Sequence, residues 1–267
     1  MQTQAGYLLS DVVSIARQAL CAQDWQRLSQ SVGTKGERLF DWAILPLATD
    51  PYQPAEREFG ATRAMLEKMA EREGLSLSIT TKSNQVVRDI DLLRRISERS
   101  SIMVNMSVTT MRTRLARLLE PRAPRPDLRL EAVRKLREAG ISAGVFAMPI
   151  VPGLTDREED LDALARAARD AGAQWFGARV LFLMPSSWKS FIAFLEEKFP
   201  RLTGRYREWY RNYGDAPESY RIEIAARVEN VRRQYGLRSR PETPAKPSQP
   251  APQLQLAWET GEQRCQI

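Results

Sequence analysis

Thr49-Asp-Pro-Tyr-Gln-Pro54 follows directly on Trp42-Ala-Ile-Leu-Pro-Leu-Ala48, where an apolar strand runs out and a helix begins. The heptapeptide is almost wholly apolar, as strands buried in a parallel sheet are. Proline disfavours helical backbone in the residue before it, so Asp50-Pro51 makes a rigid exit from the strand. An amphipathic helix pattern starts immediately behind. Polar residues at the carboxyl end of a parallel strand are where α/β proteins place ligands. The same six residues also fit a turn in which Asp50 caps the next helix.

Downstream of this junction, strand and helix patterns alternate. Arg57 to Glu73 places Ala61, Ala64, Met65, Leu66 and Met69 on one side, and Leu75 to Thr80 alternates as a strand. Asp89 to Arg99 reads as a helix and Ile102 to Ser107 as the third strand. Thr110 to Leu119 and Leu128 to Ala139 are helical, separated by Glu120-Pro-Arg-Ala-Pro-Arg-Pro126, whose three prolines forbid continuity. Gly140 offers the left-handed cap that stops the second of them. Ile141 to Met148 is a fourth strand, Arg157 to Asp170 a helix and Gln174 to Leu183 a fifth strand. This alternation implies βαβ units on a parallel sheet.

Composition narrows the function classes. The chain has 267 residues, 43% of them hydrophobic, enough for one sizeable core. No apolar run approaches the roughly 18 residues of a membrane span, and the amino terminus lacks a signal-peptide pattern, so a cytoplasmic protein without membrane contact is expected. Histidine is absent. That removes histidine triads, histidine general bases and most zinc sites. Cys21 and Cys265 stand near opposite ends and build no disulfide framework.

An ordered set of short motifs carries a family resemblance. Thr49-Asp-Pro-Tyr-Gln-Pro-Ala-Glu56, Thr80-Thr-Lys-Ser83 with Arg88-Asp-Ile-Asp-Leu-Leu93, Val104-Asn-Met-Ser107, Glu120-Pro-Arg-Ala-Pro124, Arg129-Leu-Glu-Ala132 and Pro149-Ile-Val-Pro-Gly-Leu-Thr-Asp156 each fall at a strand end or loop. Together they resemble the radical S-adenosylmethionine proteins related to spore photoproduct lyase, over roughly residues 43–200. The resemblance implies an α/β fold, a partial (β/α) TIM-like barrel of about five parallel strands with a helical C-terminal extension. It further implies S-adenosylmethionine and a 4Fe-4S cluster at the carboxyl ends of the strands. Lys82 and Ser107 match residues that contact the methionine part of that ligand, an ammonium suited to a carboxylate and a hydroxyl able to donate or accept. Thr49, Asp50, Tyr52 and Gln53 match the contacts to its amino group. Pro149, Pro152 and Gly153 match the loop beside the adenine, with Asp156 as the expected N-cap of the next helix. Glu120 and Arg122 lie either at the barrel mouth or on a solvated loop.

One departure qualifies this. The superfamily holds its cluster with Cys-x-x-x-Cys-x-x-Cys, because three thiolates leave one iron for S-adenosylmethionine. No such motif occurs in these residues. A barrel lacking its cluster segment is therefore expected, through truncation, degeneration or a separate chain that supplies the ligands. Two readings follow: a radical enzyme or part of one, and a non-catalytic binding protein. The barrel also has no cysteine to match the hydrogen donor of the lyase.

The expected domain plan is a helical segment over 1–42, the barrel over 43–200, a basic helical extension over 201–240 and a disordered tail over 241–267. The formal charge is +7, and 201–240 holds ten arginines against five acids, together with six aromatics. Arginine interleaved with aromatics suits phosphates and bases, which makes nucleic acid a candidate partner. The same pattern also fits helices that bury their aromatics on the barrel and leave their charges in water. Five prolines between Pro241 and Pro252 account for the tail.

Overall fold

The computed structural model describes residues 50–239 and the backbone of one earlier strand, Ala43–Leu45. The expectations for 1–42, for Thr49, for both cysteines and for the tail from 241 lie outside the described residues.

Five strands form one parallel sheet: β1 (Ala43–Leu45), β2 (Ser76–Thr81), β3 (Ser101–Ser107), β4 (Ser142–Ile150) and β5 (Phe176–Val180). Their order in the sheet is their order in the chain. A barrel wall is wound that way, whereas a doubly wound sheet reverses its strand order. Among the described residues the sheet stays open, so the architecture is a partial (β/α) barrel. Leu77 and Ile79 on β2 join Leu66, Leu93 and Ile96 of the helices in the core. The opposite face of β2 carries Ser78 and Thr80, in register with Met103 and Asn105 of β3.

The helix expected from Arg57 to Glu73 is two helices, α1 (Glu56–Phe59) and α2 (Ala61–Met69). Gly60 between them has φ 59°, a left-handed conformation that ends the first and starts the second. Before α3 (Ile90–Ser97) lies a 3-10 turn, Asn84–Asp89, whose Ser83 hydroxyl accepts from the Gln85 N–H. The proline break separates α4 (Thr113–Leu119) from α5 (Pro126–Glu138), with Pro126 at a first-turn position that needs no N–H donor. Helix α6 (Glu158–Asp170) follows β4.

Beyond β5 the fold departs from the sequence reading. The expected strand Gln174 to Leu183 stops at Val180, and Phe182–Leu183 (β6) instead pairs antiparallel with Gly214–Asp215 (β7). Between them lie α7 (Pro185–Lys198), which the sequence reading did not assign, and α8 (Pro200–Trp209); α9 (Glu218–Tyr235) follows. Tyr206 and Tyr210 are fully buried and stack with centroids 5.5 Å apart. Trp209 packs on Tyr220 at 4.8 Å, Tyr213 lies edge-on to Trp188 at 5.9 Å, and the Tyr235 hydroxyl donates to Asp162 at 2.7 Å. Every aromatic between 201 and 239 thus has an intramolecular partner. After α9 the chain returns to β5, where Arg238 O accepts from Phe176 N at 2.8 Å.

Candidate functional site

The loop after β1 is organised by Asp50. Its Oδ1 accepts from the Tyr52 N–H at 2.9 Å and from the Thr81 hydroxyl at 2.6 Å, while Oδ2 accepts from the Lys82 N–H at 2.8 Å. Of the two readings open for Asp50, the helix cap is not the one formed: α1 has Ala55 at its N-cap with no side-chain hydrogen bond. Asp50 ties the end of β1 to the end of β2 because its short side chain reaches the next turn and the neighbouring strand at once. Gln53 is half-buried in the turn, its N–H donating to Asp50 O at 3.2 Å.

Behind this loop two buried acids, Glu56 and Asp89, meet two partly exposed arginines. Glu56 accepts from the Thr62 and Arg63 N–H groups at 2.8 and 3.2 Å, capping α2, where a carboxylate also complements the positive helix end. Its other contact is Arg88 at 2.8 Å. Asp89, fully buried, pairs with Arg88 at 3.1 Å and with Arg63 at 2.8 Å. Tyr52 is buried beside this network; burial first, and the Asp89 charge second, push its phenol far above the usual range. The motif residues of the first two segments therefore brace the loop from beneath.

At the carboxyl ends of β2 and β3 the constellation opens to solvent. Lys82 Nζ lies 3.2 Å from Glu120 Oε1, with the lysine side chain 45% exposed and the glutamate 11%. The other Glu120 oxygen lies 2.8 Å from Arg129, whose side chain is 1% exposed. Arg129 donates in turn to the carbonyls of Ser107 at 2.9 Å and Pro124 at 2.8 Å. Lys82 and buried Ser107, named separately from the sequence, are thereby linked through Glu120 and Arg129. Arg122 is exposed on the loop beside them.

The floor of this face is Asn105. Its Nδ2 donates to the Ser78 hydroxyl at 3.0 Å and the Thr80 hydroxyl at 3.2 Å, and its Oδ1 accepts from Trp175 Nε1 at 3.0 Å. Gly144, opposite Asn105 on β4, leaves room for the indole: a Cβ there would fall 2.4 Å from the Trp175 ring. Sequence reasoning assigned no role to Asn105, Arg129 or Trp175. A polar residue at even spacing from Ser107 within an otherwise apolar strand was the signal available.

Pro149 lies within the last residues of β4, and Pro152 and Gly153 line the loop after it, which the C-terminal helices hold. The Tyr206 hydroxyl donates to Pro152 O at 2.8 Å, and the Arg227 guanidinium to Asp156 O at 2.9 Å. Asp156 is not the N-cap of α6; Arg157 holds that position without a side-chain cap. The Asp156 carboxylate instead accepts from the Gly153 N–H at 2.8 Å and the Tyr220 hydroxyl at 2.7 Å. The turn folds back on itself here, since Gly153 has φ +76° and approaches Leu202 closely.

Among the described residues there is neither cysteine nor histidine, and no group of three or more carboxylates is placed to hold a metal ion. These residues do not fit an iron–sulfur cluster. At the adjacent strand ends they present the half-exposed ammonium of Lys82 and the buried Ser107. No helix among the described residues is long and apolar enough to cross a membrane.

This geometry has relatives. An uncharacterized protein of Mycobacterium tuberculosis is 31% identical over 228 residues, covering 85% of this chain and 63% of the relative. An uncharacterized protein of Methanocaldococcus jannaschii is 37% identical over 110 residues, 41% of this chain and 40% of that one. The chain thus spans less than two thirds of the length of these relatives. A spore photoproduct lyase variant with bound AdoMet and dinucleoside spore photoproduct shares the fold at a TM-score of 0.56 and 16% identity, covering 80% of this chain and 62% of that one. The sequence profile of the radical SAM superfamily matches residues 30–165, just over half of the chain. With the sequential parallel strands and the motifs at their carboxyl ends, that match shows the chain to be a member of the radical SAM superfamily.

Proposed function

We propose that this chain is the S-adenosylmethionine-binding part of a radical SAM protein whose cluster ligands come from a segment outside residues 50–239, on the same polypeptide or on a separate chain. One observation carries the reading. Lys82 stands half-exposed at the carboxyl end of β2, and the acid it pairs with, Glu120, has a second, buried partner in Arg129. A ligand carboxylate that takes over Lys82 leaves Glu120 still neutralised, so the exchange strands no buried charge. Asp50 holds the Lys82 backbone, and Arg129 holds the Ser107 carbonyl, so both groups are pre-positioned. Within the superfamily, S-adenosylmethionine bound to a reduced cluster supplies a carbon radical. Residues 50–239 contribute binding and orientation to that chemistry.

Calorimetric titration of the full chain with S-adenosylmethionine tests the assignment. Weak binding is expected, since the iron that anchors the ligand elsewhere in the superfamily is not held by these residues. Lys82→Ala should weaken it at least tenfold. Unchanged affinity in Lys82→Ala, or no binding by the unaltered chain, overturns the reading.

A further inference from the structure

A cleft of about 450 Å³ lies between the start of α4, the loop after β4, the start of α6 and the junction of α7 with α8. Arg112, Arg157, Lys198 and Arg201 line it, with Phe199 and Gly153 among its other walls, and no acidic residue does. Two of the four cations are engaged. Arg112 pairs with Asp160 at 3.0 Å and donates to Leu154 O, and Lys198 pairs with Glu197 at 2.7 Å. Arg157 and Arg201 have no ion pair among the described residues.

That distribution is informative because acids are plentiful nearby. Glu158, Glu159 and Asp160 follow Arg157 in the first turn of α6, yet none makes a salt bridge with it. Arg157 and Arg201 enter the cleft from different elements, at the starts of α6 and α8. Helix α8 begins at Pro200 with no side-chain cap, so its positive end adds to the same field. Guanidinium groups match phosphate through paired donors, and their weak hydration makes them suited to it. The volume lies within the range of ligand sites.

We propose that this cleft binds phosphate groups, with Arg157 and Arg201 as the two gripping residues and Arg112 and Lys198 as supporting charge. Of the ten arginines in 201–240 Arg201 alone lines the cleft, and the other three cations come from outside that segment. The aromatics of 201–239 have packing partners within the fold, and the cations alone carry the proposal. The gripping residues Arg157 and Arg201 are not among those assigned to S-adenosylmethionine, although Gly153, in the loop matched to the adenine, also borders this cleft.

The test is a fluorescence titration of the full chain at low salt with two probes, a labelled single-stranded oligonucleotide and a labelled nucleoside diphosphate. Arg157→Ala/Arg201→Ala should weaken binding at least tenfold. For the oligonucleotide it should lower the slope of log affinity against log salt by roughly 1.4, about 0.7 for each lost contact to a single strand. Arg94→Ala/Arg95→Ala, which removes equal charge from the exposed side of α3, should change neither quantity. Binding of the oligonucleotide alone identifies a polymer backbone as the phosphate source; binding of the diphosphate identifies a small ligand. Failure of both probes to bind the unaltered chain, or equal loss in the two double variants, overturns the proposal.

Discussion

Arg129 and Glu120 form an ion pair 2.8 Å apart in which the arginine is buried and the acid lies near the surface. Lys82 shares the same carboxylate from the solvent side at 3.2 Å. The two cations therefore have different jobs. Arg129 braces the loop Glu120–Pro124 against β3, and Lys82 is an exchangeable partner at the rim.

Arg129→Leu should destabilise the fold by about 3 kcal/mol or more, because Glu120 loses its buried partner and two carbonyls lose their donor. Lys82→Met should cost less than about 1 kcal/mol, as exposed pairs do. Urea unfolding of the two variants measures the difference. Equal costs would show that the pair is not divided in this way.

Asp50→Ala removes the acceptor of three hydrogen bonds, to Tyr52, Thr81 and Lys82. A loss of about 2–4 kcal/mol is expected. The freed Lys82 backbone should also weaken S-adenosylmethionine binding, although Asp50 itself need not touch the ligand. Binding that survives while stability falls would separate the brace from the site.

Gly144→Ala forces a methyl group to within 2.4 Å of the Trp175 ring. The indole must move, and its bond to Asn105 Oδ1 with it, at a cost of about 1–3 kcal/mol. The Trp175 indole N–H resonance reports this directly and should shift or broaden. An unshifted resonance would mean that the ring does not lie over Gly144.

Burial is the first cause that raises the phenols of Tyr52, Tyr206, Tyr210 and Tyr220 above their ordinary value of 10.0. A phenol whose pKa is higher folded than unfolded favours the fold fully below pH 10.0 and progressively less above it. Alkaline titration should therefore show these four ionising together, in one step coincident with loss of helical circular dichroism. Gradual independent ionisation ahead of unfolding would contradict their burial.

Much of this protein was legible in its residues. Apolar runs such as Ile102 to Ser107, punctuated by proline and glycine, marked β2, β3 and β4 to within two residues, because strand burial and helix stops are local effects. Gly60 was less legible: a glycine inside an amphipathic pattern is compatible with one helix or two, and its positive φ is settled only by how α1 and α2 pack. The aromatics of 201–240 fitted either a base-stacking surface or a core, and hydrophobic composition is the same in both.

The strand–helix alternation follows from residue types at short spacing, and the candidacy of Lys82 and Ser107 from the resemblance that the ordered motifs carry. How those motifs are used depends on contacts made in the folded chain. Asp50 and Glu56 turned out to brace the loop, Asp156 to close a turn onto Tyr220, and Glu120 to stand between Lys82 and Arg129. Folding likewise brought Arg112, Arg157, Lys198 and Arg201 around one cleft. Hydrogen bonds and ion pairs act over about 3 Å, and only the folded chain sets which groups from distant segments come that close.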